Sequence, residues 1–203
     1  MKPRTFKGGA TDWASEGKPP SVIPTPAQLL VPSFVAVDFE TANRAGAESA
    51  CQIALVSVVE GQIAGRYTTY LLPPEEYGHF EFTYLHGIDE ETVANAPTWH
   101  EVAEDIADFV DQRPVYAHNA SFDQGVWRAL DRYYQLETMP PEFYCSYRTA
   151  QKLVPNLINY KLPTVVHALD PAFNLDHHQA DSDAEACARI IIALQQKLKR
   201  LGY

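Results

Sequence analysis

Apolar residues first run together at Phe34-Val35-Ala36-Val37, directly after Ser33. A short unbroken run of this kind predicts a buried strand. Two further strand-like runs, Gln52 to Val59 and Gly65 to Leu72, lie on either side of Glu60-Gly61, a spacing that predicts a hairpin. Between Asp89 and Asp111 the period changes. Trp99, Val102, Ile106, Phe109 and Val110 fall on one helical face, and Arg113-Pro114 closes the segment. Val115-Tyr116-Ala117 predicts a fourth strand, and Ser121 to Tyr134 a helix with Ser121 as its N-cap. Glu142 to Cys145 predicts a fifth strand, followed by helices through Leu153 and from Leu162 to Leu169. A long last helix spans Ala180 to Leu198, with Ala184, Cys187, Ala188, Ile191, Leu194 and Leu198 on one face. A meander followed by alternating strands and helices predicts an α/β domain, a mixed five-stranded sheet flanked by helices.

Residues 1–31 break this pattern. Pro3, Pro19, Pro20, Pro24 and Pro26 alternate with Gly8, Gly9 and Gly17, and few residues are apolar. The segment reads as an extended or flexible N-terminal arm ahead of one domain at 32–203. Lys2, Arg4, Lys7 and Lys18 outnumber Asp12 and Glu16 there, so the domain is more acidic than the whole chain, whose net charge is −10. That balance argues against a protein that coats nucleic acid through Lys and Arg on phosphates. It is compatible with an enzyme that holds a strand end through bound cations, because such ions reverse the local sign. Cys51, Cys145 and Cys187 are odd in number and widely spaced. They exclude a disulfide framework or a cysteine-rich zinc site and read as small buried hydrophobes. No apolar run is long enough to span a bilayer and no signal peptide opens the sequence, so the expectation is a cytoplasmic protein away from membranes.

Three short acidic segments change the picture. Asp38-Phe39-Glu40-Thr41 follows the first predicted strand. In extended chain, residues two apart share a side, so Asp38 and Glu40 present paired carboxylates. Such a pair repels unless a cation lies between the two groups. The second segment, His118-Asn119-Ala120-Ser121-Phe122-Asp123, lies where strand turns to helix; Asp123 falls in the first turn, where the helix dipole favours a carboxylate. The third, His178-Gln179-Ala180-Asp181-Ser182-Asp183, opens the last helix. Each alone also fits a solvated turn, a capping acid or a surface histidine; their joint occurrence in this order is the specific signal.

Together these segments resemble the three motifs of the DEDDh exonuclease family, which includes the epsilon proofreading subunit of bacterial replicative polymerase, ribonuclease T and oligoribonuclease. Asp38 and Glu40 match the first motif, Asp123 the second, and His178 with Asp183 the third, His-x-Ala-x-x-Asp. His86-Gly87-Ile88 resembles the family's substrate-facing segment. The similarity covers roughly residues 33–200, with stand-alone epsilon-like exonucleases the nearest in look, and implies a ribonuclease H-like fold. Where many relatives have Asp-Thr after the fifth strand, this chain has Cys145-Ser146. The resemblance implies a metal-dependent 3′→5′ exonuclease that releases nucleoside monophosphates, with single-stranded DNA favoured. It implies two divalent ions held by Asp38, Glu40, Asp123 and Asp183, with His178 as general base. Hard carboxylate oxygens suit Mg²⁺ or Mn²⁺ better than zinc. Only His178, not His177, has the motif's spacing, and His177 is expected to point elsewhere.

Phe39, Thr41, Leu85, His86, Asn119 and Phe122 are the expected substrate contacts. The aromatic faces among them could stack on terminal bases, with core packing as the competing role. Arg44 is read as a phosphate contact or a solvated loop cation. Three other readings stay open. An RNA-trimming exoribonuclease or oligonucleotidase would keep the chemistry and change the strand. A non-catalytic interaction module would keep only the fold, and a single-metal phosphatase would use the same acids on monoesters. The acidic surface favours short substrates, or a polymerase or other protein partner that supplies the grip on DNA.

Overall fold

A computed structural model describes residues 20–203, and the first nineteen positions of the arm lie outside the described residues. A short helix α1 (Pro26–Leu29) precedes strand β1 (Phe34–Thr41), the hairpin β2 (Ala50–Val59) and β3 (Gln62–Tyr70), and helices α2 (Thr83–His86), α3 (Glu90–Val93) and α4 (Trp99–Val110). Then follow β4 (Val115–Ala117), α5 (Asp123–Tyr134), β5 (Phe143–Cys145), α6 (Ser146–Leu153), α7 (Leu162–Leu169) and α8 (Ala180–Arg200). The five strands form one mixed sheet in the order β3-β2-β1-β4-β5. β1 runs antiparallel to β2 and parallel to β4, and β4 runs parallel to β5. The expected α/β architecture is present. Among the described residues no helix is long and apolar enough to cross a membrane.

Alternation along β1 assigns the two faces. Val35, Val37 and Phe39 pack with Trp99, Ile106, Val126 and Trp127 beneath α4 and α5. Phe34 and Ala36 pack on the other face with Val165, Ala184, Ile191 and Leu194 of α7 and α8. The hairpin turn is where the sequence places it. Glu60 and Gly61 have φ of 50° and 72°, the twist-compatible geometry of a two-residue hairpin.

Three local expectations are corrected. β1 does not stop at Val37; it pairs with β2 through Glu40↔Gln52, so Asp38 and Glu40 lie within the strand. Two acids can extend a strand here because only the backbone joins the ladder. The helix expected over 89–111 is two helices, interrupted at Pro97. Asp89 and Thr98 each close a capping box at the separate starts, and the residue before a proline resists helix. Ser121 is not an N-cap, because α5 begins at Asp123 after a turn closed by Phe122 N–H donating to Asn119 O at 2.9 Å.

Of the segment read as an arm, residues 20–31 pack on the domain. Cys145 N–H donates to Val22 O at 2.8 Å along the outer edge of β5, which satisfies backbone that an edge strand would otherwise expose. Gln195 Nε2 donates to Leu29 O and Val31 O at 2.9 and 2.8 Å. Leu29, only 2% exposed, joins the core on the α8 face. Leu29→Ala is therefore expected to lower unfolding free energy by about 2–5 kcal/mol. The test is urea unfolding, where the midpoint should fall with little change in slope; an unchanged midpoint would place Leu29 outside the cooperative core.

Candidate active site

β1 is the switch point of the sheet, with an antiparallel neighbour on one side and a parallel one on the other. Ligands of open α/β sheets gather beyond the carboxyl ends of strands at such points. The even-numbered residues of β1 face α8, so Asp38 and Glu40 follow Phe34 and Ala36 onto that face. Asp183, in the first turn of α8, is 4% exposed. One carboxylate oxygen from each of Asp38, Glu40 and Asp183 can be chosen so that all lie within 4.8 Å of one another. Asp123 opens α5 beside them, and its Oδ1 accepts the Phe39 backbone N–H at 3.1 Å. That bond joins the second segment to the first.

Burial and mutual repulsion dominate the electrostatics. Burial, then the charges of Asp123, Asp183 and Glu40, pushes the Asp38 carboxyl well above its ordinary value. Glu40 is pushed up to about 8 by burial and by Asp183 and Asp123. Asp123 is pushed up to about 7, chiefly by burial, although the Phe39 N–H opposes the shift. Burial raises Asp183 too, against the pull of His177 and His178. Oxygen donors that repel one another and cannot easily solvate fit a hard divalent cation.

His178 lies just before α8 with φ of 71°. Residues with a Cβ seldom adopt that left-handed backbone, at a cost on the order of 1–3 kcal/mol. Its backbone N–H donates to Asp183 Oδ2 at 3.1 Å. Burial, then the neighbouring His177, lowers its pKa, which keeps the ring a proton acceptor near neutrality. The expectation for His177 is corrected. Its ring does not point away: Nδ1 donates to Asp183 Oδ2 at 2.9 Å, and the ring stacks on His178 with centroids 3.9 Å apart. The reading followed motif spacing and passed over the local signal, two consecutive histidines six and five residues before a first-turn aspartate.

The expected substrate contacts divide. Phe39 is 3% exposed, its ring set against Trp99 and Trp127. Its stacking role is corrected, because alternation sends it to the face opposite Asp38 and Glu40. His86 is also buried. Its Nδ1 accepts the Ile88 N–H at 3.1 Å, so Nε2 carries the proton and donates to Thr41 O at 3.2 Å. Both ring nitrogens are engaged within the protein, and burial lowers its pKa. Thr41 is buried as well. Leu85 and Asn119 are exposed, Asn119 with φ of 75° in the turn before Asp123. Phe122 is half-buried against the core. Arg44 pairs with Glu81 at 2.9 Å and lies over the Phe82 ring.

Two further connections were not foreseen. Gln179 Nε2 donates to His86 O at 3.2 Å, tying the start of α8 to α2. His118, held neutral by burial with its pKa down at about 4, joins Ser146 Oγ and Tyr160 O, each at 2.9 Å. The serine of the unusual Cys145-Ser146 pair thus anchors the turn that carries Asn119.

Comparison with known proteins identifies the family. The exonuclease family model RNase_T matches residues 35–191. The PolC-type DNA polymerase III of Caldanaerobacter subterraneus subsp. tengcongensis is 30% identical over 83% of this chain and 12% of its own length. The 3′-5′ exonuclease DinG of Bacillus subtilis is 28% identical over 84% of this chain and 18% of its own. The chain thus spans less than a fifth of these curated relatives. Among solved structures, the nuclease domain of 3′hExo, a DEDDh family member bound to rAMP, superposes with a TM-score of 0.69 at 16% identity. That match covers 81% of this chain and 92% of the other, and it is a likeness of fold.

The raised carboxylates set a pH dependence. Glu40 moves from 4.5 to about 8 and Asp123 from 3.8 to about 7. The folded protein therefore keeps protons that the unfolded chain has already released, and stability falls as pH rises through the folded values. His118, lowered from 6.5 to about 4, acts in the opposite sense, but only up to its unfolded value. Between about pH 7 and 8 the carboxylates set the slope. The melting temperature of cation-free protein is expected to fall across that interval, and Glu40→Gln should flatten the fall. Scanning calorimetry in EDTA checks this; a rising melting temperature across the interval contradicts it.

Proposed function

Because the chain belongs to the RNase_T exonuclease family, we propose that it is a 3′→5′ exonuclease that releases nucleoside monophosphates from DNA ends. Enzymes of this family generally use divalent metal ions. The observation that carries the proposal is the approach of Asp38, Glu40 and Asp183 to within 4.8 Å, with Asp123 held beside them. In this reading these four residues hold two Mg²⁺ or Mn²⁺ ions. Bound there, such ions supply positive charge for the attacking and leaving oxygens of an in-line displacement. His178 takes the proton of the attacking water, and its lowered pKa supports that role. Asn119 and Leu85, both exposed and both between Glu40 and Asp123 in sequence, contact the terminal nucleotide. Likeness to a DNA polymerase III and to DinG supports DNA as the strand. The overall charge of −10 suits a short grip on a strand end rather than a long basic track.

The roles are separable. Asp38→Ala should abolish hydrolysis and weaken Mn²⁺ binding. His178→Ala should slow turnover by about 10²–10⁴-fold while leaving Mn²⁺ affinity near that of the parent. Single-turnover digestion of an end-labelled oligonucleotide, paired with calorimetry of Mn²⁺ binding, measures both. Full rate in the His178 variant would remove it from the role of base.

Direction is tested independently. A 3′-blocked strand should resist digestion, and a 5′ block should make no difference. Shortening from the 5′ end would refute the polarity. Faster digestion of the matching RNA would transfer the proposal to RNA trimming.

A further inference from the structure

The geometry points to His177 as a positioning residue that sets Asp183 and His178 in their working arrangement. This rests on the reading of Asp183 as a cation ligand and His178 as the base. Three observations converge on His177. Its Nδ1 donates to Asp183 Oδ2 at 2.9 Å, and the next residue's backbone N–H reaches the same oxygen at 3.1 Å. Asp183 Oδ2 is thus held by both residues of the His177-His178 pair, which limits rotation of the carboxylate. Oδ1 lies farther from His177, at 3.1 Å, and keeps acceptor capacity for the cluster with Asp38 and Glu40. The two imidazole rings lie 3.9 Å apart at an interplanar angle of 20°, so His177 also forms a wall for the ring of His178. Finally, His178 holds its backbone at φ of 71°, a conformation that persists only where surrounding contacts over-determine it. The stack and the shared carboxylate are such contacts.

His177 is half-exposed, with 39% of its side chain accessible. Hydrophobic burial therefore does not account for its placement. A histidine donating to a ligating carboxylate orients that ligand from outside the coordination sphere. Loss of such partners generally costs about 10–100-fold in metal affinity or activity.

Two substitutions divide the contacts. His177→Asn keeps an N–H at the place of Nδ1 and removes the ring. His177→Phe keeps the ring and removes the donor. His177→Ala removes both. With the full chain, Mn²⁺ affinity is measured by calorimetry, and kcat and KM on a single-stranded oligonucleotide at saturating Mn²⁺. The alanine variant is expected to lose about tenfold in Mn²⁺ affinity and about tenfold in kcat, with KM little changed. The asparagine variant should recover the affinity, and the phenylalanine variant most of the kcat. Parent-like affinity or parent-like kcat in the alanine variant overturns the inference. So does complete loss of Mn²⁺ binding without rescue by asparagine, because His177 would then be a ligand itself. Asp183→Asn serves as the control. If that variant binds and cleaves like the parent, the reading of the site fails; if it is inactive while His177→Ala is normal, only the positioning role fails.

Discussion

Repulsion among buried carboxylates is the constraint around which this molecule is arranged. Asp38, Glu40, Asp123 and Asp183 come from three separate segments, and burial raises the pKa of every one. Left alone, such a group of acids would drift apart or hold protons. Here the sheet and two helices hold them together. β1 fixes two acids by its pleat, α5 delivers the third onto the Phe39 N–H, and α8 brings the fourth across the same face. The two large apolar clusters on either side of the sheet supply the stability that offsets this electrostatic cost.

The same constraint orders the surroundings. The turn before α5 holds Asn119 in the left-handed region, and the start of α8 does the same to His178. Hydrogen bonds from neighbouring elements brace both places. His118 ties the first to Ser146 and Tyr160, and Gln179 ties the second to α2. Backbone strain therefore sits beside the acids, as expected where geometry is held for chemistry rather than for stability alone.

Much of this was legible in the sequence, for reasons that can be named. Periodicity revealed β1, β4 and α8 because each is bounded by a clear change of pattern. The acidic segments stood out because all three occur in one chain in the motif order, although acids in first helical turns are common in it. What escaped depended on tertiary contact. Phe39 sits between Asp38 and Glu40 in sequence, yet the pleat turns it into the core against Trp99 and Trp127. His86 lies in a segment that resembles a substrate contact, yet its ring is spent on Thr41 and Ile88. His177 has no place in the motif spacing, yet it bonds Asp183. Pro97 was passed over because every residue of the apolar face, Trp99 to Val110, lies after it. For Phe39, His86 and His177 the local pattern left two side-chain directions open, and packing chose between them.

The most direct test of the central claim is calorimetric titration of the cation-free protein with Mn²⁺ at pH 7. It should be run in two buffers of different ionisation enthalpy, so that protons exchanged on binding can be counted. Carboxylates that carry protons because they are buried and repel one another must give them up when a cation enters. The account predicts saturable binding with net proton release. Binding without proton release, or no saturable binding, would contradict it.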